Sequence, residues 1–399
     1  MTTRPLPSYF QGKERLETWP PLRKTVRMGT PDELAVGDRT RALDHATAGR
    51  SAEAVAYLRY VHPGNRMMIE VTFEWCLRTH IEMVHARGAA AADEAAVRTE
   101  TAWRGLCGVA EGLAPTQTFQ THLSAAWLRE NAVRALSSKR TRTLSIAHPA
   151  LTAELEERLS EAITATEQPD RAAAITAIER YHRHACSCHD VLIAYLWAFA
   201  DTTARIAGDN AAEQMLHAAF KSTPAVNLLW PALHMLTAEE AAFALAEHMR
   251  GHFSGPDRAG AVRIVEEEDR YRLVSDPCGS GGAMRRHLQG SAMQDVAKRK
   301  EPTHTSWGEA GVPFYCMHCA HNEIRSIQAI GFPRWVTDYR PEPGKPCEWV
   351  IYKRPEDIPE RYFTRIGCSR DPRRFKTTGG FLGKMKAMVG VLSIMIRAR

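Results

Sequence analysis

The stretch Gly251-His252-Phe253-Ser254-Gly255-Pro256-Asp257 divides the sequence into two parts with different residue patterns. Upstream of it, Ala, Leu, Glu and Arg dominate from about residue 35, and these residues favour helices. Downstream of it, short apolar runs rich in β-branched and aromatic residues favour antiparallel strands. The sequence therefore predicts a mainly helical N-terminal region followed by a small α+β domain, with the dividing stretch as a linker.

The helical part carries several local signals. Thr237 and Glu240 form a capping-box pattern at the start of its last helix, and Gly251 is expected to end that helix. A break is expected at His62-Pro63-Gly64 because proline interrupts helices. Two stretches that end at Gly88 and Gly208 look alike, since each contains a tryptophan and precedes an Ala-rich helix. Either a duplicated helical hairpin or coincidence would explain this likeness.

The second part predicts two strand pairs with a helix between them. The helix is expected to begin at Asn322 and to end at Gly331. The expected antiparallel pairs are residues 262–265 with 271–274, and residues 334–339 with 347–352. Four segments follow from these patterns: an N-terminal arm (1–34), a helical domain (35–250), an α+β Cys-rich domain (255–355) and a basic C-terminal tail (356–399).

Charge and cysteine content narrow the function classes. The net charge of +6 is concentrated at the end of the chain, where residues 351–399 contain 12 Lys/Arg and 4 Asp/Glu. Aromatic residues are not interleaved through this tail, so we expect a solvated tail and no nucleic-acid partner. The apolar stretch 387–396 is expected to dock on the protein itself or on a second subunit in a homo-oligomer, and contact with a membrane surface is the alternative.

The chain is expected to be cytoplasmic. Its N-terminus lacks a signal-peptide pattern, and its longest apolar run, residues 191–200, is too short for a transmembrane segment. Nine cysteines is an odd number, which favours reduced thiols and metal ligation over a disulfide framework.

Four cysteines fall at structured places in the second part and predict a zinc site. Cys316 and Cys319 form a C-x-x-C pattern, which can place two thiolates on one metal, and thiolates favour zinc over hard cations. An iron–sulfur or redox role and ordinary buried thiols are the alternatives. His318 and His321 are alternative ligands. The predicted ligands are Cys278, Cys316, Cys319 and Cys347.

A glycine-rich loop follows Cys278. The backbone N–H groups of Gly279, Ser280 and Gly281, with Arg285 after them, predict a cradle for an anionic substrate group. No Gly-Lys-Ser/Thr follows, so the loop is not a P-loop. The alternative is a simple flexible turn.

The order of these motifs over residues 255–355 resembles two known families. A strand, Cys278, a glycine-rich loop, the Cys316-x-x-Cys319 pair and Gly344-x-x-Cys347-x-Trp349 opening a last strand look like the 4-vinyl-reductase-type small-molecule-binding domains. They are also similar to the 2-aminothiazoline-4-carboxylate hydrolase family. The resemblance implies metal-supporting cysteines at Cys316 and Cys347, and a pocket for a small organic acid or amine.

A histidine cluster lies in the helical part. His182, Cys186 and His189 would share one helix face, and Asp190 could fix the tautomer of a neighbouring imidazole. His189 and Asp190 are therefore predicted to perform acid–base catalysis. The alternatives are a metal site, or a helix N-terminus that Asp190 caps.

Together these patterns predict a metal-containing enzyme, hydrolase- or lyase-like, that acts on a small polar organic molecule in a pocket between the two domains. In this hypothesis the Gly-rich loop and Arg285 hold a carboxylate. The alternative is a small-molecule-binding regulatory module with structural zinc.

Overall fold

The protein is represented by a computed structural model, which describes residues 9–19, 24–109, 113–137, 149–223, 233–342 and 344–378. Its described N-terminal region is mainly helical, and a small antiparallel sheet lies towards the C-terminus, which confirms the predicted fold class at this level. The helices of the first region are α1 (Pro31–Ala35), α2 (Asp38–Thr47), α3 (Ser51–Arg87), α4 (Ala89–Val109), α5 (Gln117–His122), α6 (Ala125–Ser137), α7 (Pro149–Glu167), α8 (Arg171–Ala207), α9 (Asp209–Ser222) and α10 (Ala238–Gly251).

Two long helices form the centre of this region. Both α3 and α8 contain 37 residues, and each is followed by a glycine with positive φ, 84° at Gly88 and 88° at Gly208. The positive φ lets the chain turn directly into α4 and α9, which pack back on the long helices. The two hairpins thus match in length and in their connection, and internal duplication stays a hypothesis.

The break expected at Pro63 is wrong. Helix α3 runs through Pro63 without interruption. The neighbouring α2, α7 and α8 all pack along α3, and this tertiary packing outweighs the local cost of one missing N–H donor. Gly64 lies at the crossing with α10, where a Cβ atom on Gly251 would stand 3.4 Å from the Gly64 backbone.

The C-terminal sheet agrees with the predicted pairs. It contains β3 (Arg263–Glu266), β4 (Arg270–Val274), β5 (Val336–Asp338) and β6 (Glu348–Tyr352), all antiparallel in the order β3-β4-β6-β5. The helices around it are α11 (Gly281–His287), α12 (His318–Ile330) and α13 (Arg361–Thr364). The predicted stop of α12 at Gly331 is confirmed, since that residue has a φ of 90°.

The segment expected as an N-terminal arm contains a hairpin. Strand β1 (Arg15–Trp19) pairs with β2 (Lys24–Met28), and Trp19 packs edge-on against Phe243 of α10 at 5.4 Å between ring centroids. This contact joins the hairpin to a buried cluster that also contains Leu273 and Ile351 of the sheet. The hairpin is therefore part of the wall around the space between α10 and the sheet.

The segment expected as a basic tail is partly docked on the domain. Tyr362 and Phe363 of α13 are buried, and Arg365 lies 2.9 Å from the buried carboxylate of Glu323. The apolar stretch 387–396 lies outside the described residues. None of the helices in the described ranges is both long enough and apolar enough to cross a bilayer.

Candidate functional site

A cavity of about 520 Å³ lies between the helical region and the sheet. Its wall is formed by parts of β1, β2, α3, α9, α10, α11, α12 and the C-terminal sheet. The predicted site residues that line it are Cys278, Ser280, Gly281, Arg285, Cys316, Cys319 and Cys347. The structure therefore gathers the Gly-rich loop and the four cysteines around one space.

Ser280 lies directly before α11, at a point where the backbone is tightly confined. A Cβ atom on Gly279 would overlap the carbonyl oxygen of His252, and one on Gly281 would stand 2.5 Å from Sγ of Cys316. The glycines on both sides of Ser280 therefore allow the loop to approach the end of α10 and the cysteines closely. Ser280 itself is 8% exposed and faces the cavity.

Two histidines flank the Ser280 hydroxyl. Its Oγ atom lies 3.0 Å from Nδ1 of His252 and 3.5 Å from Nε2 of His189. On the far side, Nδ1 of His189 lies 3.1 Å from Oδ1 of Asp190, and Nε2 of His252 lies 3.1 Å from Nε2 of His248. The five side chains form one continuous hydrogen-bonded chain.

The carboxylate at one end of this chain sets the direction of its hydrogen bonds. Because the ionised Asp190 only accepts, Nδ1–H of His189 donates to it, which leaves Nε2 of His189 as an acceptor. The Ser280 hydroxyl then donates to His189 and accepts from Nδ1–H of His252. Nε2 of His252 in turn accepts from His248. This assignment aims the proton of Ser280 at His189.

The charge of Asp190 is fixed by Arg258. Although burial alone would raise its pKa, the Arg258 guanidinium holds the pKa of Asp190 well below its usual range. The contact is bidentate, 2.6 Å to Oδ2 and 2.8 Å to Oδ1. Arg258 also donates to the carbonyl oxygens of Gly279 and Phe253. It therefore ties α8 to the Ser280 loop, besides keeping Asp190 ionised.

The histidines of the chain are neutral near pH 7. Burial lowers the pKa of His189 and holds that of His252 well below its ordinary value. Burial also lowers the pKa of His248 to about 4. Neutral imidazoles each offer one donor and one acceptor, as the assigned directions require.

The stretch expected as a linker supplies one residue of the site and adjoins another. His252 lies in it and Arg258 follows it directly, and Phe253, Asp257 and Arg258 all have positive φ, between 51° and 59°. Such conformations cost energy for residues other than glycine and tend to occur at functional sites. Sequence reasoning missed His252 and Arg258, because Gly255-Pro256 between them has the composition of an ordinary loop.

The four cysteines do not form a ready metal site. Within the described ranges, no group of three or more His, Cys, Asp or Glu side chains is arranged to hold a metal ion. Burial raises the pKa of Cys347 to about 11 and raises that of Cys316 and Cys319 further, so these thiols are protonated near pH 7. Cys278 accepts a hydrogen bond from the Gly282 N–H at 3.0 Å. This arrangement does not fit zinc as it stands, and zinc binding stays a prediction.

One of the two alternative ligands contacts a cysteine. Nδ1 of His318 lies 2.5 Å from the carbonyl oxygen of Tyr315, and its Nε2 lies 3.6 Å from Sγ of Cys319. Nε2 of His321 lies 3.2 Å from Glu213. His318 lines the cavity, where burial lowers its pKa to about 4. Among the described residues, neither histidine combines with the cysteines into a group arranged to hold a metal ion.

The histidine cluster of α8 splits into separate pairs. Cys186 lies 3.3 Å from Nε2 of His182, and burial lowers the pKa of His182 to about 3. Asp190 is in the middle of α8, so its proposed role as a helix cap is wrong. The packing that buries residues 191–200 continues the helix on both sides of it. Only His189 and Asp190 of this cluster join the chain to Ser280.

Arg285 is a buried cation in the cavity wall. It is 8% exposed, its guanidinium lies 5.3 Å from the ring centroid of Tyr339, and it donates to the carbonyl oxygen of Pro341. In the described part of the chain it forms no ion pair with a carboxylate. The predicted role of Arg285 in binding an anionic group thus has a physical basis in this geometry.

No family model, no curated protein and no solved structure matches the chain.

Proposed function

We propose that the protein is a hydrolase that cleaves an ester-type bond of a small organic molecule in this cavity, with Ser280 as the nucleophile. The observation that carries this proposal is the hydrogen-bonded chain Ser280–His189–Asp190 beside the cavity. A serine hydroxyl is a weak nucleophile until a neighbouring base accepts its proton, and a carboxylate behind that base stabilises the imidazolium. The hydrogen-bonded chain contains the hydroxyl, the base and the carboxylate.

The reaction follows from these positions. Oγ of Ser280 attacks the carbonyl carbon while its proton passes to Nε2 of His189. The tetrahedral intermediate collapses as His189 returns the proton to the leaving alcohol, which leaves an acyl group on Ser280. Water then attacks the acyl group with His189 as base, and the acid is released. Asp190 keeps its charge throughout because Arg258 pairs with it.

His189 is a better base than His252, although His252 lies closer to Ser280. The Asp190 carboxylate stabilises protonated His189, whereas His252 is surrounded by His248, His189, His318 and Arg258, all of which lower its pKa. A charge on His252 would therefore be destabilised by burial and by these cationic or ionisable neighbours. His252 instead orients the Ser280 hydroxyl through its Nδ1–H.

Zinc has no step in this mechanism, and its predicted ligands line the cavity. If zinc binds on rearrangement of the cysteines, Cys316, Cys319, Cys347 and Cys278 remain the predicted ligands, and the metal would supply Lewis acidity or local stability. The chemistry of Ser280 and His189 is independent of it.

The second hypothesis is a small-molecule-binding regulatory module. The observation that favours it is the cavity itself, whose volume of about 520 Å³ falls in the range of small-molecule pockets. This hypothesis predicts saturable binding without turnover.

The experiment that separates the two is a hydrolysis assay with p-nitrophenyl esters of short and medium acyl chains. Wild type should release p-nitrophenol in many turnovers, and Ser280→Ala should lose about three orders of magnitude in kcat/KM. Ser291→Ala, which changes a serine after α11 outside the hydrogen-bonded chain, is the matched control. Equal rates for wild type and Ser280→Ala would remove Ser280 from the chemistry.

A further inference from the structure

Much of the cavity wall is apolar. Five tryptophans from separate parts of the chain line it together with two methionines of α3. Aromatic and thioether side chains offer large contact areas with no requirement for a polar partner on the ligand. The residues concerned are Trp19, Trp75, Trp307, Trp335, Trp349, Met67 and Met68.

The charged groups of the same wall are mostly cationic. Lys24, Arg285 and Arg325 line the cavity. The acid among the lining residues is Glu247, whose carboxylate lies 3.1 Å from Arg250 and accepts a hydrogen bond from Tyr60 at 2.8 Å. The carboxylate of Glu247 is thus already paired with Arg250 and hydrogen-bonded to Tyr60. The cavity therefore favours a ligand with negative charge.

Arg285 locates the preference for negative charge at one position in the cavity wall. Burying a guanidinium without a counter-ion is costly, and a ligand anion that pairs with it recovers much of that cost. Arg285 is 8% exposed and has no carboxylate partner in the described residues, while the Tyr339 ring and the Pro341 carbonyl hold it in place. A pre-positioned buried cation beside an apolar wall is the arrangement that binds an amphipathic anion.

We infer that the ligand of this cavity is an apolar molecule that carries a carboxylate, with the carboxylate on Arg285 and the apolar body against the tryptophans. The inference rests on the proposed function in one respect: if the protein is a hydrolase, the substrate is an ester that carries such a carboxylate. This differs from the small polar molecule that the sequence suggests, because the tryptophans come from separate elements and their convergence is a feature of the fold.

The test is a binding titration with octanoate and octan-1-ol, which share a chain and differ in charge. Wild type should bind octanoate at least about tenfold more tightly than octan-1-ol, as a charge-assisted hydrogen bond predicts. Tryptophan fluorescence and calorimetry both report the binding. Equal affinities for the two ligands in wild type would overturn the inference without any variant.

Variants then locate the preference. Arg285→Met should abolish the preference for octanoate, because it weakens the binding of octanoate and leaves the binding of octan-1-ol unchanged. Arg285→Lys should retain part of the preference because the charge remains. Arg263→Met, which changes an exposed arginine of β3, is the control. Retention of the full preference in folded Arg285→Met would contradict the assignment.

The two proposals can fail separately. Octanoate binding and ester turnover are measured independently of each other. Octanoate binding that depends on Arg285, without ester turnover, would keep the inference and overturn the hydrolase. Ester turnover without a preference for octanoate would keep the hydrolase and overturn the inference.

Discussion

Oγ of Ser280 lies 3.5 Å from Nε2 of His189, although the two residues are 91 positions apart in the chain. Arg258 makes this approach specific, because it binds Asp190 on α8 and the carbonyl oxygen of Gly279 beside Ser280. The loop between α10 and β3 therefore connects the base to the nucleophile. This relationship leads to predictions for stability as well as for activity.

Replacing Arg258 by Met should destabilise the fold. The change leaves the buried Asp190 without its bidentate partner, and loss of one partner of a buried pair costs about 3 kcal/mol or more in the free energy of unfolding. Urea unfolding followed by circular dichroism measures this. Arg263→Met, on an exposed site, should change the free energy by less than about 0.5 kcal/mol. Similar values for the two variants would mean that the Asp190–Arg258 pair is structurally unimportant.

The two histidines beside Ser280 should differ in their contribution to turnover. His189→Gln removes the proposed base and should lower kcat by about three orders of magnitude. His252→Gln preserves a donor to Ser280 and should lower kcat by less than about tenfold. Ester hydrolysis by both purified variants, each checked for folding, measures this difference. A larger loss in His252→Gln would reassign the base to His252.

The value of kcat/KM should fall only at acid pH. The base must be neutral, and burial lowers the pKa of His189 below its ordinary value of about 6.5. Protonation therefore removes the base only as the pH falls below about 6.5, and activity should be level from there to pH 8. A profile of kcat/KM from pH 4.5 to 8 tests this. An inflection at or above pH 7 would disagree with a buried, neutral His189.

Turnover should survive chelation. Nucleophile and base are both protein groups in the proposed mechanism, so prolonged dialysis against EDTA should leave kcat within about twofold. Elemental analysis of the same samples, with Cys316→Ser beside wild type, tests the zinc prediction separately. Loss of activity with zinc, restored by adding zinc back, would return the cysteines to the reaction as metal ligands.

Local signals account for what could be predicted of the fold. The capping box of Thr237 and Glu240 is present at the start of α10, and the alternating residues 262–274 form the expected hairpin. Both depend on neighbours within a few positions. The hairpin β1–β2 was missed because the stretch between its strands, Pro20-Pro21-Leu22-Arg23, does not have a typical hairpin-turn sequence.

The site depends on contacts between distant segments and could be predicted only in part. His189 and Asp190 stood out as neighbouring titratable groups, and Ser280 stood out within its glycines. Their meeting could not be predicted, because it requires the strained loop that contains His252 and Arg258. The spacing of the cysteines predicts one metal centre; the fold places all four cysteines in the wall of one cavity, and zinc binding stays a prediction.

The central claim is that Ser280 is a nucleophile activated by His189. The most direct measurement is intact and peptide mass spectrometry after incubation with an alkyl fluorophosphonate, which forms a stable phosphonyl ester with activated serines as fluoride leaves. The account predicts one phosphonyl group per chain on Ser280 in wild type, and none in His189→Gln or Ser280→Ala. Labelling elsewhere, or equal labelling of Ser280 in His189→Gln, would contradict it.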